Sequence, residues 1–354
     1  MMYQGALITG YSESGSDTTA ANTAYNTYVS NSGGYAPSLI HQGYSWKGSG
    51  GAYNNFPLTD VTRFRAKGAI PVVSFQPGQS GIVANAAFSY DAICAGDHDA
   101  FLTTWAQAAA SWNHPLIVRL AHEFNAGTYF TWLQGHSYNT GGVNSYADMW
   151  RHVVNLMRPI APKITWFWCC NTTSATYPLN SSNWPGKAYV DYAGFDTYFG
   201  RQQYFDSAET VVQCWQPTYN EVASVCEGVP QLVGETGVEE YATIPLEKKN
   251  WYIELWAQAW TTTFPLIKGV VYYNRMHDTA QPVKGNWLIS TTQNAIDGYS
   301  TLATQSSIWA TNTFASFETA GSIKPLDYVS PTLGFQKVTA SPRLRMRLKK
   351  GTGV

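Results

Sequence analysis

Short runs of apolar and β-branched residues recur along the chain, separated by stretches with helical periodicity. Eight such runs are visible, and their starts lie 29 to 48 residues apart. Each interval accommodates one strand, one helix and two loops, which indicates repeated βα units. Eight units predict the α/β class and a (β/α)8 TIM barrel, whose parallel sheet closes on itself. The candidate strands are Gly5–Tyr11, Pro37–Trp46, Ala69–Pro77, Leu116–Asn125, Ile164–Asn171, Ala193–Tyr198, Gln231–Gly237 and Gly269–Arg275.

The stretches between these strands contain readable helices. From Tyr146 to Met157, apolar side chains recur every three or four residues and form one stripe. Ser145 followed by Asp148 resembles a capping box, and Pro159 marks the far end of this helix. Residues 248–260 read the same way, and residues 285–314 fit a last loop and the eighth helix.

The helical and strand patterns divide the chain into two parts. The strands span about residues 5–275, so we expect the barrel with its last helix to occupy residues 1–314. Residues 315–354 have little periodicity and a basic end, RLRMRLKK. They are interpreted as a short C-terminal extension or linker, because a basic run of this kind is usually a solvated tail.

Charge and hydropathy indicate which kinds of ligand, nucleic acid, membrane or carbohydrate, the protein could bind. With a net charge of −1, the chain shows no sign of binding nucleic acid or an anionic membrane. No run of apolar residues approaches the 18 or so needed for a transmembrane helix, and the N-terminus shows no signal peptide. Aromatic residues make up 15% of the chain, and many stand beside Gly, Asn and Thr, which suits ligands such as sugar rings.

The five cysteines suggest neither a metal centre nor a disulfide framework. None has the spacing of zinc ligands, and Cys169 and Cys170 lie inside an apolar run, as small buried thiols do. A Cys214–Cys226 disulfide is possible. We expect no metal and no other cofactor, because no His, Asp and Glu cluster has ligand spacing.

Polar side chains that end apolar strands are the candidates for chemistry, because functional residues of such barrels project from the carboxyl ends of the strands. Two of them are glutamates, on the fourth and seventh strands, and these face the same mouth. On the eighth strand Tyr272 and Tyr273 are neighbours, and Tyr272 is the one expected to contact substrate. The strand-end residues are Gln76, Arg119, His122, Glu123, Asn125, Asp196, Tyr198, Glu235, Tyr272, Tyr273, Asn274 and Arg275. Those expected to contact substrate, together with Trp132, are Gln76, Arg119, His122, Asn125, Tyr198 and Tyr272.

A pair of carboxylates is what glycosidic bond cleavage requires, one protonated to donate to the leaving oxygen and one ionised. A single strand-end glutamate is more often a salt-bridge partner, but two of them beside an Asp-x-Tyr at a third strand favour catalysis. Tyr198 is suited to hydrogen-bond the nucleophile, and His122 and Asn125 to hold sugar hydroxyls. Asp196 is expected to support the site through arginine or backbone contacts.

These motifs resemble glycoside hydrolase family 26, the endo-β-1,4-mannanase family. The matching segments are RLAHEFN, YVDYAGFDTYF, LVGETG and IKGVVYYN at strands 4, 6, 7 and 8, with GDHDAFLTTWA and MWRHVVNLMR flanking strand 4. The resemblance covers about residues 5–275 in the right order. It implies a retaining barrel enzyme with Glu123 as acid–base, Glu235 as nucleophile, Tyr198 beside the nucleophile and His122 on the substrate.

The sequence departs from the family pattern near positions that contact sugar. The family's usual Trp after the acid–base motif falls on Thr128 unless Trp132 replaces it after a small shift. Tyr272 stands where a Trp often forms a sugar platform. The other departures are Gln76, Phe124 and Ala126. These changes bear on the identity of the sugar more than on the reaction.

The sequence therefore predicts a retaining endo-glycosidase, expected to be a monomer, that cleaves a β-linked polysaccharide, with β-1,4-mannan as the first choice. Mixed-linkage β-1,3-1,4-glucan and β-1,3-xylan remain open, as does a non-catalytic carbohydrate-binding barrel of a surface or virion assembly. A phosphate-handling barrel is disfavoured, because no Gly-rich loop follows strands 7 and 8. Action on extracellular polysaccharide is expected, and the export route is open. The aromatic residues expected to line an open cleft are Tyr129, Phe130, Trp132, Trp184 and Tyr198.

Overall fold

Eight parallel strands form a closed barrel in sequence order, with the last strand paired to the first. The computed structural model describes residues 2–8, 18–199, 210–239, 246–257, 262–276 and 286–305. The strands are β1 (Tyr3–Ile8), β2 (Leu39–Lys47), β3 (Ile70–Gln79), β4 (Leu116–Leu120), β5 (Ile164–Asn171), β6 (Tyr192–Phe199), β7 (Gln231–Val238) and β8 (Ile267–Asn274). The predicted (β/α)8 fold is confirmed.

Helices follow the strands and cover the outside of the barrel. Those within the described ranges are α1 (Thr18–Asn31), α2 (Leu58–Ala66), α3 (Tyr90–Cys94), α4 (Asp99–Trp112), α5 (Ser137–Thr140), α6 (Tyr146–Met157), α7 (Val211–Val225), α8 (Glu247–Ala257) and α9 (Gln293–Ala303). The predicted stripe of α6 is buried, and both hydrogen bonds of the Ser145–Asp148 capping box are present. No helix in the described part of the chain is long and apolar enough to cross a bilayer.

Strand 4 ends earlier than predicted. The pattern placed its end at Asn125, but β4 stops at Leu120 because the next residues leave the extended conformation: Ala121 has φ 43° and Glu123 has φ 54°. Positive φ is uncommon for residues with a side chain and breaks a strand. The segment that follows β4 is therefore a loop at the barrel mouth.

Two apolar cores lie on the two sides of the sheet. The larger core fills the space between the barrel and its helices and includes Trp46, Trp150 and Trp215, all without solvent exposure. The smaller core plugs the barrel interior with Tyr3, Leu39, Ile70, Val72, Ile117, Phe167, Cys169, Tyr192, Leu232 and Val271. Because side chains alternate along a strand, the inward positions that follow these residues point toward the mouth.

The suggested disulfide is wrong. All five cysteines are thiols. Cys214 lies in the first turn of α7 and Cys226 immediately after its last residue. Twelve residues of helix separate them by about 18 Å, far beyond the reach of a disulfide. The predicted extension, residues 315–354, lies outside the described residues.

Candidate active site

A buried arginine occupies the centre of the barrel, directly above the interior core. Arg119 is 1% exposed, and its Nη1 donates to both carboxylate oxygens of Asp196 at 2.8 and 2.7 Å. Its Nε donates to Ser74 Oγ at 2.7 Å, and its Nη2 donates to Glu235 Oε1. Burial by itself lowers the pKa of Arg119, but the charges of Asp196 and Glu235 outweigh it and raise that pKa well above the usual value. Arg119 thus ties β3, β4, β6 and β7 together as a permanent cation. Because it is buried and its donors bind protein groups, the expectation that it contacts substrate is corrected.

Glu235 is held from both sides. While Arg119 donates to Oε1, the hydroxyl of Tyr198 donates to Oε2. Glu235 pairs with Asp196 across β6 and β7, next to a register shift, and is 8% exposed. Both oxygens of Glu235 therefore accept a hydrogen bond, and the two donors fix the orientation of the carboxyl group.

His41 lies below this carboxylate as a neutral imidazole. Burial and the charge of Arg119 lower its pKa well below the usual value. Its Nε2 lies 3.3 Å from Arg119 Nη2 and 2.7 Å from Ser74 Oγ. Because a guanidinium can only donate, Nε2 is the acceptor and the ring proton sits on Nδ1. Nδ1 faces Glu235 Oε1 at 3.9 Å, so the proton adds positive potential beside the carboxylate.

The residue before Glu235 must lack a side chain. A Cβ at Gly234 would lie 2.6 Å from Asp196 Oδ1, 2.8 Å from Cys169 Sγ and 2.9 Å from Arg119 Nη1. These contacts are shorter than real Cβ atoms make. The glycine therefore lets the buried ion pair pack against the backbone of β7.

Glu123 follows the end of β4 in a strained backbone conformation. Its φ of 54° is unusual for a residue with a side chain, and its amide donates to Cys169 O at 2.9 Å. This bond anchors the loop to β5. Strain of this kind is common at functional sites, where the surrounding contacts hold it.

The carboxyl group of Glu123 has an environment that favours the acid, whereas Glu235 accepts hydrogen bonds from a cation and a hydroxyl. Burial, followed by the negative charge of Glu235, raises the pKa of Glu123 to about 7. A hydrogen bond from the Tyr129 hydroxyl to Oε2 at 2.7 Å and the charge of Arg119 act in the other direction. The two glutamates are thus near enough for one charge to oppose the other, and Glu123 keeps its proton near neutral pH.

Aromatic rings flank Glu235 on the β8 side. Tyr198 packs against Trp287 with 4.4 Å between ring centroids, and Tyr273 meets Tyr198 edge-on at 5.7 Å. Tyr273 is partly exposed, whereas Trp287 is 8% exposed. These rings form a wall of the mouth beside the carboxylate.

The choice of Tyr272 as the sugar contact is wrong. Tyr272 is 3% exposed and packs against Tyr252 of α8 and Tyr299 of α9, on the helix side of the barrel. Neighbouring residues of a strand point to opposite faces, so Tyr273 faces the mouth instead. The alternation alone could have made this distinction.

Asn125 belongs to the scaffold of the site rather than to its surface. It is 2% exposed, its Oδ1 accepts from Asn171 N at 2.7 Å, and its Nδ2 donates to Asn171 O at 3.2 Å. The side-chain amide therefore mimics a backbone partner and extends the pairing of β5. This corrects the expectation that it holds sugar hydroxyls.

Two tryptophans expected in the cleft are buried. Trp132 is 3% exposed, donates to His122 O at 2.6 Å and lies under the ring of Phe130 at 4.5 Å. Trp184 is 9% exposed and packs edge-on against Trp168. Neither leaves a ring face open to a sugar, so the expectation of substrate contact is corrected for both. Tyr129 and Phe130 retain exposed surface.

His122 and Gln76 complete the predicted set. His122 is 4% exposed, packs against Phe130, and has an Nδ1 without a hydrogen-bond partner. Burial, followed by the charge of Arg119, lowers its pKa well below the usual value. Gln76 is partly exposed and lies within β3, three residues before its end, and its Oε1 accepts from Ser45 Oγ at 3.4 Å. Substrate contact by these two residues stays a prediction.

Sequence reasoning did not single out His41, Ser74, Asn171 or Trp287. His41 and Ser74 carry a signal, since each is a polar residue at an inward position of an apolar strand. Trp287 carries none, because it comes from a loop distant in sequence. Within the described residues, no group of three or more His, Cys, Asp or Glu is arranged to hold a metal ion.

A closed (β/α)8 barrel with glutamates at the carboxyl ends of β4 and β7 defines the class of barrel glycoside hydrolases. The chain belongs to glycosyl hydrolase family 26, whose family model matches residues 81–262, just over half of its length. It is therefore a glycosyl hydrolase.

The solved structures it resembles include family 26 mannanases. A mannanase from Bacillus subtilis is 17% identical with a TM-score of 0.57, over 87% of this chain and 85% of that one. A β-mannanase from Bacteroides ovatus is 16% identical with a TM-score of 0.57, over 88% and 90%. The catalytic domain of an endo-β-1,4-mannanase from Bacillus sp. JAMB-750 is 15% identical with a TM-score of 0.63, over 91% of each chain. At these identities the likeness shows the fold. No curated protein matches the sequence significantly.

Proposed function

We propose that this protein is a retaining endo-β-glycanase that cleaves β-1,4-mannan, with Glu235 as nucleophile and Glu123 as acid–base. The observation that carries the proposal is the contrast between the two carboxyl groups. Glu235 accepts from Arg119 and Tyr198, whereas burial and the charge of Glu235 raise the pKa of Glu123 to about 7. Divergent environments of two carboxyl groups mark the acid and the base of a site.

In the first step, a Glu235 oxygen attacks the anomeric carbon while Glu123 gives its proton to the departing glycosidic oxygen. The products are a covalent glycosyl ester on Glu235, a freed sugar chain and an ionised Glu123. Forming the ester removes the negative charge of Glu235, which is one of the causes of the raised pKa of Glu123. The pKa of Glu123 therefore falls, and the residue is ready to act as base.

In the second step, Glu123 takes a proton from water as the water oxygen attacks the anomeric carbon. Glu235 leaves as a carboxylate, and the donors Arg119 and Tyr198 stabilise the returning charge. Two inversions at one carbon give net retention, and both residues return to their starting protonation states.

Mannan is proposed as substrate because the family is best known for mannanases and because solved structures of similar fold are mannanases. The wall formed by Tyr198, Tyr273 and Trp287 provides the apolar surface on which a sugar ring packs. A panel of β-1,4-mannan, mixed-linkage glucan and β-1,3-xylan tests this choice, with product sizing. We expect internal cleavage of mannan, seen as a ladder of oligosaccharides. Binding without turnover on every polymer would contradict the proposal.

The two roles are separated by azide rescue of Glu123→Ala and Glu235→Ala on an activated aryl β-mannoside. Each variant should lose about 10²- to 10⁴-fold in kcat on mannan. With azide, Glu123→Ala should give the β-glycosyl azide, because azide then attacks the covalent ester, whereas Glu235→Ala should give the α-glycosyl azide. Glu227→Ala, at a glutamate with 60% side-chain exposure, is the control and should keep full activity. The opposite pair of products would exchange the two assignments.

A further inference from the structure

Three hydrogen bonds form a directional chain that ends on Glu123. The Thr172 amide donates to Asn171 Oδ1 at 2.6 Å, Asn171 Nδ2 donates to the Tyr129 hydroxyl oxygen at 2.8 Å, and that hydroxyl donates to Glu123 Oε2 at 2.7 Å. The chain links the end of β5 to the loop after β4. The family resemblance assigns no role to Tyr129 or Asn171.

The direction of this chain is fixed by the backbone. A backbone N–H can only donate, so the Asn171 atom that faces Thr172 is the carbonyl oxygen and the atom that faces Tyr129 is the amide nitrogen. The Asn171 backbone is held in turn by both side-chain atoms of Asn125. The Tyr129 oxygen already accepts from Asn171, which directs its own proton to Glu123. Burial, then the charge of Glu123, raises the pKa of Tyr129, so its hydroxyl stays a donor.

We propose that Tyr129 is a positioning residue for the acid–base glutamate. Its hydroxyl, aimed by Asn171, fixes the acidic proton on Oε1 of Glu123 and stabilises the carboxylate that forms when this proton leaves. The inference rests on the proposed role of Glu123. In a carboxylic acid the carbonyl oxygen accepts a hydrogen bond better than the hydroxyl oxygen does, so the Glu123 oxygen that faces Tyr129 is the carbonyl.

The contribution of Tyr129 grows during the first step. The Tyr129 hydrogen bond reaches a neutral acid in the ground state and a developing carboxylate in the transition state, and hydrogen bonds to ions are about twice as strong. Only interactions that strengthen in this way accelerate the reaction. The hydroxyl of Tyr129 is covered between Glu123 and Asn171, but the residue as a whole is 43% exposed, so little core packing depends on it.

The test is Tyr129→Phe, which removes only the hydroxyl, assayed on phenyl and 2,4-dinitrophenyl β-mannobioside. The phenyl leaving group needs a proton and the dinitrophenyl group does not. We expect kcat/KM on the phenyl substrate to fall about tenfold. On the dinitrophenyl substrate it should change less than about twofold, since kcat/KM reports the first step alone. The alkaline limb of the phenyl pH profile should move to higher pH, because the hydroxyl lowers the pKa of Glu123.

Two further variants sharpen the comparison. Asn171→Ala removes the group that aims the hydroxyl and should show the same selective loss on the phenyl substrate. Tyr138→Phe, in α5 of the same segment between β4 and β5, is the matched control, because its hydroxyl donates to Thr131 O at 2.9 Å rather than to Glu123. We expect Tyr138→Phe to leave both the ratio between the substrates and the pH profile unchanged.

The outcomes separate the inference from the proposed function. An equal loss on both substrates for Tyr129→Phe, or an unmoved alkaline limb, overturns the inference if Glu123→Ala still discriminates strongly between the leaving groups. If Glu123→Ala does not discriminate between them, Glu123 is not the acid and the proposed function fails first. A selective loss in Tyr129→Phe and Asn171→Ala, absent in Tyr138→Phe, supports the inference.

Discussion

At Glu123, burial and a neighbouring negative charge raise the pKa to about 7, which has a consequence for stability. The folded protein keeps this proton between about pH 4.5 and 7, where an unfolded glutamate has lost it. The stability that this proton contributes is therefore fully present below the unfolded pKa of 4.5 and is lost as pH rises through the folded pKa of about 7. Glu123→Gln removes this titration. We therefore expect the change that it makes in the free energy of unfolding to be more favourable at pH 8 than at pH 4.5, by on the order of 1–3 kcal/mol.

Thermal melts of both proteins at pH 4.5 and pH 8 measure this difference. The amide introduced by Glu123→Gln can still accept from Tyr129, so the local packing is kept. Glu227→Gln, at a glutamate with 60% side-chain exposure that pairs with Lys187 at 3.2 Å, supplies the control. Its effect on the melting temperature should stay small at both pH values, because an exposed ion pair contributes little to stability. An equal shift in melting temperature at both pH values for Glu123→Gln would contradict the raised pKa.

Gly234 is the second residue at which a small change should have a large effect. A Cβ there would meet Asp196, Cys169 and Arg119 at 2.6 to 2.9 Å. Gly234→Ala must therefore displace the ion pair that holds Glu235. We expect kcat to fall about tenfold or more and stability to fall by about 1–3 kcal/mol. Gly50→Ala, where a Cβ meets nothing within 4 Å, should change neither kcat nor melting temperature.

The function of a single residue can be predicted from the sequence where its place at the end of a strand is enough to put it in the site. The strand-end rule selected Arg119, Glu123, Asp196, Tyr198 and Glu235, and the structure brings these five together. It failed for Asn125 and Tyr272. The amide of Asn125 finds a backbone partner on β5, and the side chain of Tyr272 falls on the helix side of β8. The position of Asn125 depends on a neighbour in the folded protein, and that of Tyr272 depends on which face of the strand it lies on; the residue type determines neither.

At the level of the element, the loop after β4 folds back on itself to support Glu123. Its first limb is residues 124–127, and its second limb is residues 134–135. Gln134 N donates to Phe124 O at 3.0 Å and Gly135 N donates to Ala126 O at 3.2 Å. The two limbs are so close that a Cβ at Gly135 would lie 2.1 Å from Gly127 O. Gly135→Ala must therefore part the limbs and move Tyr129 away from the acid. We expect kcat to fall about 10²-fold, as for misplaced groups in general.

The same loop provides its own control for this prediction. A Cβ at Gly127 meets nothing within 4 Å, so Gly127→Ala adds the same methyl group without a clash. Steady-state kinetics with circular dichroism on both variants make the comparison. Equal activity for the two variants would show that the limbs do not need to stay in contact.

Helices were more predictable than this loop, for a physical reason. The α6 stripe and its Ser145–Asp148 cap depend on contacts within a few residues, which the sequence displays directly. The loop after β4 depends on φ 43° at Ala121 and φ 54° at Glu123, which no local preference favours. The contacts of β5 and of the second limb impose this conformation, so the strand seemed in the sequence to continue to Asn125.

At the scale of the whole molecule, the barrel interior is layered along its axis. Apolar side chains plug the lower part, the Arg119–Asp196 pair lies above them, and the two glutamates lie at the mouth. Closure of the sheet in sequence order brings distant strands into one ring. The regular spacing of eight apolar runs predicted that closure. The layering requires the register between strands, including the shifts beside Asp196 and Glu235, which a single sequence does not display.

Stability in this architecture comes from the two apolar cores and the closed sheet, without cross-links. All five cysteines are thiols, and those of α7 stand at opposite ends of the helix. We therefore expect an unreduced sample in guanidinium to expose five titratable thiols, and reductant to leave the melting temperature unchanged. In the native state the thiols should react slowly at pH 8, because burial raises the pKa of Cys169, Cys170 and Cys226 well above the usual value and that of Cys94 to about 11. Three thiols in the unreduced, unfolded sample would instead reveal one disulfide and require a different packing of α7.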